Sequence, residues 1–174
     1  DDNLIFQISR SDLSSLDPRG RIYHAGLGTA DEDIKRVNTL TEDLPISLLV
    51  GARKRPGKAL GIYRKQGQKY PDVVSIDIVD DLSETEVENT LKVNSWKIDD
   101  DGIVRLGRVL TEESKNHWLH RFTEESPWVR LNLPEYSHAL AFDNTGMALY
   151  VCHPQGRNTY ALNVFDLKEN RFIG

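Results

Sequence analysis

Apolar residues along this chain arrive in short bursts of five to eight positions, some alternating with polar residues and some continuous. No long stretch keeps the i, i+3, i+4, i+7 spacing that gives a helix one apolar face. The bursts include "LIFQIS" (4–9), "RIYHAGL" (21–27), "DVVSIDI" (72–78) and "IVRLGRVL" (103–110). Further along come "NHWLHRF" (116–122), "WVRLNL" (128–133), "ALYVCH" (148–153) and "TYALNVF" (159–165). Between them lie "DDDG", "ESPW", "DNTG" and "PQGRN". Such clusters reverse a strand, because Gly reaches positive φ while Asp, Asn and Ser bond to nearby backbone. One segment has a helical look, "SETEVENTLK" (83–92), but it is rich in Thr and Val and reads as strand or loop. The pattern predicts an all-β chain.

The turns recur. Gly102 and Gly146 close equivalent ones 44 residues apart. The strands after them start at Ile103 and Ala148, 45 apart, and earlier strands of the same kind start at Leu4 and Leu48, 44 apart. The step from 48 to 103 is longer, 55, and its excess falls on "RKRPGKALGIYRKQGQKY" (53–70). A period of ~45 residues with about four strands per unit is that of a β-propeller blade. A twisted four-stranded sheet with two apolar faces cannot hide its surface alone, so it stacks on neighbours around an axis. A β-sandwich with evenly spaced hairpins is the alternative, and matching turns at one blade length disfavour it. The spacing therefore predicts an open arc of about four four-stranded blades, with approximate units 1–43, 44–92, 93–135 and 136–174. The first and last are expected to be incomplete, the first lacking its innermost strand. "VNSWKI" and "SHALAF", just before the turns, are read as innermost strands.

Composition narrows the functional classes. At 174 residues, 39% hydrophobic and 28% charged, the chain can bury the core of one domain or somewhat more. Its longest apolar candidate for a membrane span, "ISLLV" (46–50), is far short of the ~18 residues required. A net charge of −5 suits a soluble protein and argues against a nucleic-acid platform. The single cysteine, Cys152, rules out an internal disulfide and a cysteine-based zinc site. No signal segment opens the chain at Asp1, and it stops at "NRFIG" without a polar tail, so both ends read as cuts in something longer.

The stretch "VNSWKIDDDGIVRLGRVL…WLHRFTEESPWVRLNL", followed by "ALAFDNTGMALYVCHPQGRNTYALNVFDL", resembles consecutive propeller blades of bacterial prolyl oligopeptidase-family serine peptidases, of the dipeptidyl or acylaminoacyl peptidase type. Trp96 in an inner strand, the "DDDG" turn leading to Arg105, and Trp128 before a polar strand carry the likeness. "LLVGAR…YPDVVSIDI" resembles the preceding blade. In that family the propeller sits over an α/β-hydrolase domain with a Gly-x-Ser-x-Gly nucleophile elbow. That motif is absent here, so no catalytic residue is carried over. The resemblance implies a non-catalytic segment that covers the active site and filters peptides by size. Its partners would be the catalytic domain of the same parent chain and the peptide substrate, with no cofactor, nucleic acid or membrane. Many relatives are exported, which leans toward a periplasmic or secreted home. A stand-alone protein–protein interaction module is the competing reading.

Other chemistry is weaker. His117 and His120 are three apart, and on a strand they point to opposite faces, unable to share a metal ion. Asp99–Asp101 before Gly102 lacks the spacing and distal Glu of a calcium loop. "GARKRPGK" (51–58) fails as a phosphate loop on glycine spacing, and Ala59 stands where Ser or Thr would hold Mg²⁺. Its basic residues, with Arg64, Lys65 and Lys69, read as a solvated loop. "GLG" (26–28) lacks the third glycine of a dinucleotide loop. Cys152, in an apolar strand, is expected to be a buried structural thiol. Arg105 and Arg157 are the candidates for ligand or inter-blade contacts, either holding a peptide carboxylate or pairing with an acid of another blade. An excised arc leaves open sheet edges, so the isolated chain is expected to self-associate or to be marginally stable.

Overall fold

The computed structural model describes residues 3–8, 21–26, 35–36, 47–49, 57–65, 67–77, 80, 82–113, 115–154 and 159–173, with side chains from residue 57 onward. Every described element is a β-strand, paired antiparallel with its sequence neighbour. The chain divides into two compact units, Asp1–Thr90 and Leu91–Gly174.

The first unit holds two sheets. β1 (Asn3–Ile8), β2 (Arg21–Gly26) and β3 (Lys35–Arg36) form a three-stranded meander. β4 (Ser47–Leu49), β5 (Lys58–Tyr63), β6 (Asp72–Asp77) and β7 (Leu82–Val87) form a four-stranded one. Side chains alternate across a strand, yet five successive residues of β6, from Asp72 to Ile76, are buried. That strand is therefore covered on both faces. Buried Asp72 is satisfied locally: Oδ1 accepts from the Asn89 backbone at 2.8 Å and from Gln68 Nε2 at 2.9 Å. "SETEVENTLK" is strand as far as Val87 and irregular beyond it.

The second unit repeats the pattern twice. Its first sheet contains β8 (Ser95–Ile98), β9 (Val104–Leu110), β10 (Asn116–His120) and β11 (Val129–Arg130). The second contains β12 (His138–Phe142), β13 (Ala148–Pro154), β14 (Tyr160–Asp166) and β15 (Arg171–Ile173). "VNSWKI" and "SHALAF" supply β8 and β12, the first strand of each sheet. The last sheet, expected to be incomplete, has all four strands. Asp166 Oδ1 accepts from the Glu169 N–H at 2.7 Å, and Asn170 adopts a φ of +52°, which turns the chain back into β15. At three residues β15 is too short to show an alternating pattern in sequence.

The two recurring turns share one construction. Asp99 accepts the Gly102 N–H on its backbone oxygen at 3.0 Å, and its Oδ1 takes the N–H groups of Asp101 and Ile103. Asp143 likewise accepts from Gly146 at 3.0 Å, and its Oδ1 takes those of Met147 and Ala148. Gly102 and Gly146 sit at φ +78° and +67°, a region costly for any residue with a Cβ. This is why the Asp-x-x-Gly spacing recurs.

The two sheets of this unit bury each other. Leu106, Trp118 and Leu131 from the first meet Ala139, Leu149, Val151, Phe165 and Leu167 from the second. Trp118 Nε1 donates to the Ser137 carbonyl at 3.0 Å, so its polar atom is also satisfied across the interface.

Glycine substitutions separate backbone strain from packing. Gly67, at φ +80° with open space around its Cβ position, should lose about 1 kcal/mol on change to Ala. At Gly146 a Cβ would also lie 2.7 Å from Arg105 Nη1. G146A should therefore cost about 2 kcal/mol more than G67A in urea unfolding, since it also dislodges a charged hydrogen-bond donor. Equal losses would show that Gly146 is required only for its φ.

Candidate functional site

The polar centre of the second unit is built on Arg105. Lys97 pairs with Leu106, but the next residue, Ile98, pairs with Val104. Arg105 is thus the extra residue of a β-bulge, a device that re-aims one side chain. Its guanidinium is buried and its donors are spent in several directions. Nη1 meets Asp99 Oδ2 at 3.2 Å, Nε donates to the Arg121 carbonyl at 3.2 Å, and Nη2 donates to the Gly146 carbonyl at 2.7 Å. The cation also lies 5.0 Å from the Phe142 ring centre. Asp99 thus uses one oxygen to close its own turn and the other to orient Arg105, which reaches the equivalent turn of the next sheet. The acid partner lies within the same sheet, and the inter-sheet partner is a carbonyl.

His120 completes the cluster. Its Nε2 is 3.3 Å from Arg105 Nη2. Since an arginine can only donate, that nitrogen accepts and the ring carries its proton on Nδ1. Burial first, and the Arg105 charge second, lower its pKa to about 4. Arg121 spans the base of the cluster, donating from Nε to the Val104 carbonyl at 2.7 Å, with its guanidinium 4.9 Å from the Trp128 ring. Trp128 in turn lies 5.5 Å from Trp96.

A second concentration of charge lies between β8 and β9. Lys97 Nζ donates to the Leu140 carbonyl of β12 at 3.2 Å. Burial, then the neighbouring positive charge of Arg108, lower its pKa. Two like charges, Lys97 on β8 and Arg108 on the adjacent β9, raise the positive potential between these strands.

The remaining sequence candidates are dispersed. His117 is on the other face of β10 from His120 and pairs with Arg130 at 2.8 Å. Cys152, expected to be buried, is half-buried. Arg157 and the basic residues Arg53 and Arg55 lie outside the described residues. Of that basic run, Lys65 Nζ is 3.8 Å from Asp72, and Lys69 lies over the Tyr70 ring. The sequence singled out Arg105 but not its surroundings, and drew attention to His120 only as half of a metal pair that a strand cannot form. His120, Arg121 and Lys97 carry no motif, and only the register of β8, β9 and β10 brings them together. Asp99 and Gly146 were visible as turn residues, without their link to Arg105.

No family model matches this chain, and no curated protein sequence does. Solved structures do match its fold. TolB from Acinetobacter baumannii superposes with a TM-score of 0.62 at 12% identity, over 98% of this chain and 39% of that one. A prolyl endopeptidase, one of two analysed for inter-domain dynamics in catalysis and specificity, gives 0.59 at 14%, over 99% of this chain and 26% of its own. The β-propeller domain of the Trilobed protease from Pyrococcus furiosus, described as having an open velcro topology, gives 0.56 at 10%, over 95% and 51%. This chain spans about half or less of the length of each. At these identities the likeness establishes the fold, which is that of a β-propeller segment.

His120 makes stability pH-dependent in a definite direction. Its folded pKa, about 4, lies below the ordinary 6.5, so between those values the unfolded state binds the extra proton. The contribution of His120 should be flat above pH 7, and stability should fall as pH drops from 6.5 to 4, by roughly 3 kcal/mol at most. Urea midpoints of the wild type and of His120→Gln across this range test it. The variant should lose most of the slope, and an unchanged slope would assign the effect to other groups.

Proposed function

We propose that this chain is the non-catalytic propeller segment of a prolyl oligopeptidase-like serine peptidase, where it covers the active site and filters peptide substrates by size. The observation that carries this reading is the match to a prolyl endopeptidase over 99% of this chain but only 26% of that enzyme. A matched fraction of that size leaves room for a separate catalytic domain, and the chain itself contains no Gly-x-Ser-x-Gly. The likeness to a protease propeller domain from Pyrococcus furiosus points the same way. The blade resemblance around Trp96, the "DDDG" turn and Trp128 adds sequence support of its own.

In this role the propeller contributes no reacting group. It contributes a rigid wall, and the rigidity comes from sheets that bury each other and from turns tied through Arg105. Exclusion by size needs such a wall more than it needs a chemical motif. The catalytic domain of the parent chain would be its partner, and an extracytoplasmic home is what the family resemblance implies. A second reading, a propeller interaction module without a peptidase, also fits the likeness to TolB, at a TM-score of 0.62.

The complete reading frame decides between them. The peptidase reading expects an α/β-hydrolase segment with a Gly-x-Ser-x-Gly elbow in the same frame, and no hydrolysis of fluorogenic peptides by residues 1–174 alone. The full-length protein should cleave short peptides at least tenfold faster than the same sequence embedded in a long unfolded chain. A frame encoding only further sheet repeats would favour the module, and equal cleavage of short and long substrates would remove the size filter.

A further inference from the structure

The last sheet has two apolar faces and only one of them is buried. On β13, Leu149 and Val151 are fully buried against the preceding sheet. Strand alternation turns Tyr150 and Cys152 to the opposite side. There Tyr150 stands opposite Val164 and Cys152 opposite Leu162. Tyr150 is 41% exposed and Leu162 63%, while Val164 and Cys152 are half-buried. None of the four carries a charge.

The preceding sheet shows what such positions are for. In it Leu106 stands opposite His120, and Arg108 opposite Trp118. Each of these residues is 44 positions before its counterpart: Leu106 before Tyr150, Arg108 before Cys152, Trp118 before Leu162 and His120 before Val164. Leu106, Trp118 and His120 are 0%, 4% and 1% exposed, because the β12–β15 sheet lies against them. Three of these positions are thus closed in one copy of the repeat and open or half-open in the next, while Arg108, like its counterpart Cys152, is half-buried.

We propose that Tyr150, Cys152, Leu162 and Val164 are the docking face for a further four-stranded sheet of the same repeat, carried by the same polypeptide. The occupant presents apolar residues to this face in the manner of Ala139, Leu149, Val151 and Phe165. The face continues, one repeat on, an interface that already exists within this chain. The matched structures, of which this chain spans 26–51%, have the length to supply another sheet. The inference rests on the internal repeat and is independent of the peptidase reading.

Cys152, the single cysteine, lies on this face and reports on it directly. Its rate of reaction with a thiol reagent is measured under native conditions in residues 1–174, and in the same chain extended by about one further repeat of its reading frame. Labelling is followed at the Cys152 peptide by mass spectrometry. The extension should slow the reaction at least tenfold, and Leu162→Glu in the extended chain should restore the faster rate. An unchanged rate overturns the proposal, whether or not the added residues fold, as does a frame that ends at Gly174. Protection that instead grows with concentration in residues 1–174, together with a dimer mass, would give the face to a second copy and also overturn it.

Discussion

A short antiparallel sheet whose two faces are both apolar cannot be stable by itself, and the rest of this structure follows from that constraint. The central strand β6 shows it most plainly, with five successive buried residues. Hydrogen bonding within a sheet satisfies the backbone but leaves both faces to water. Covering each face with another sheet is the economical solution, and repeating one sheet design lets every copy cover the next. In the second unit the outcome is visible as one continuous core from Leu106 to Leu167, drawn from two sheets.

Apolar stacking is non-directional, so it fixes contact without fixing alignment. Alignment in the second unit is set by polar groups. Arg105 joins the turn at Asp99 to the turn at Gly146, and Trp118 donates to the carbonyl just before β12. Lys97 does the same between first strands, reaching the Leu140 carbonyl. The three bonds that cross between the sheets each end on a backbone carbonyl, so they constrain chain position independently of side-chain identity there.

The fold was largely legible in the sequence because its signals are local. Alternation marked the strands, and Asp and Gly at fixed offsets marked the turns, since the φ of +78° at Gly102 and +67° at Gly146 excludes most other residues. The polar cluster was legible only at Arg105. Its aim depends on a β-bulge, and a bulge is a property of strand register that one strand's sequence does not encode. His120 reads as an ordinary strand residue until β9 and β10 pair and place it beside Arg105. Cys152 was expected in a buried apolar strand, and it is half-buried because burial depends on a neighbouring sheet as well as on strand composition.

All three tryptophans, Trp96, Trp118 and Trp128, belong to the β8–β11 sheet or the segment leading to its last strand, whereas Leu149 belongs to the sheet that covers it. Tryptophan fluorescence during urea unfolding of Leu149→Ala therefore reads one sheet while the other is damaged. If the sheets hold each other folded, the tryptophan transition shifts to lower urea by a destabilisation of about 2–5 kcal/mol, the usual cost of emptying a buried leucine site. A tryptophan transition that stays at the wild-type midpoint would show that each sheet stands alone, and would contradict the account.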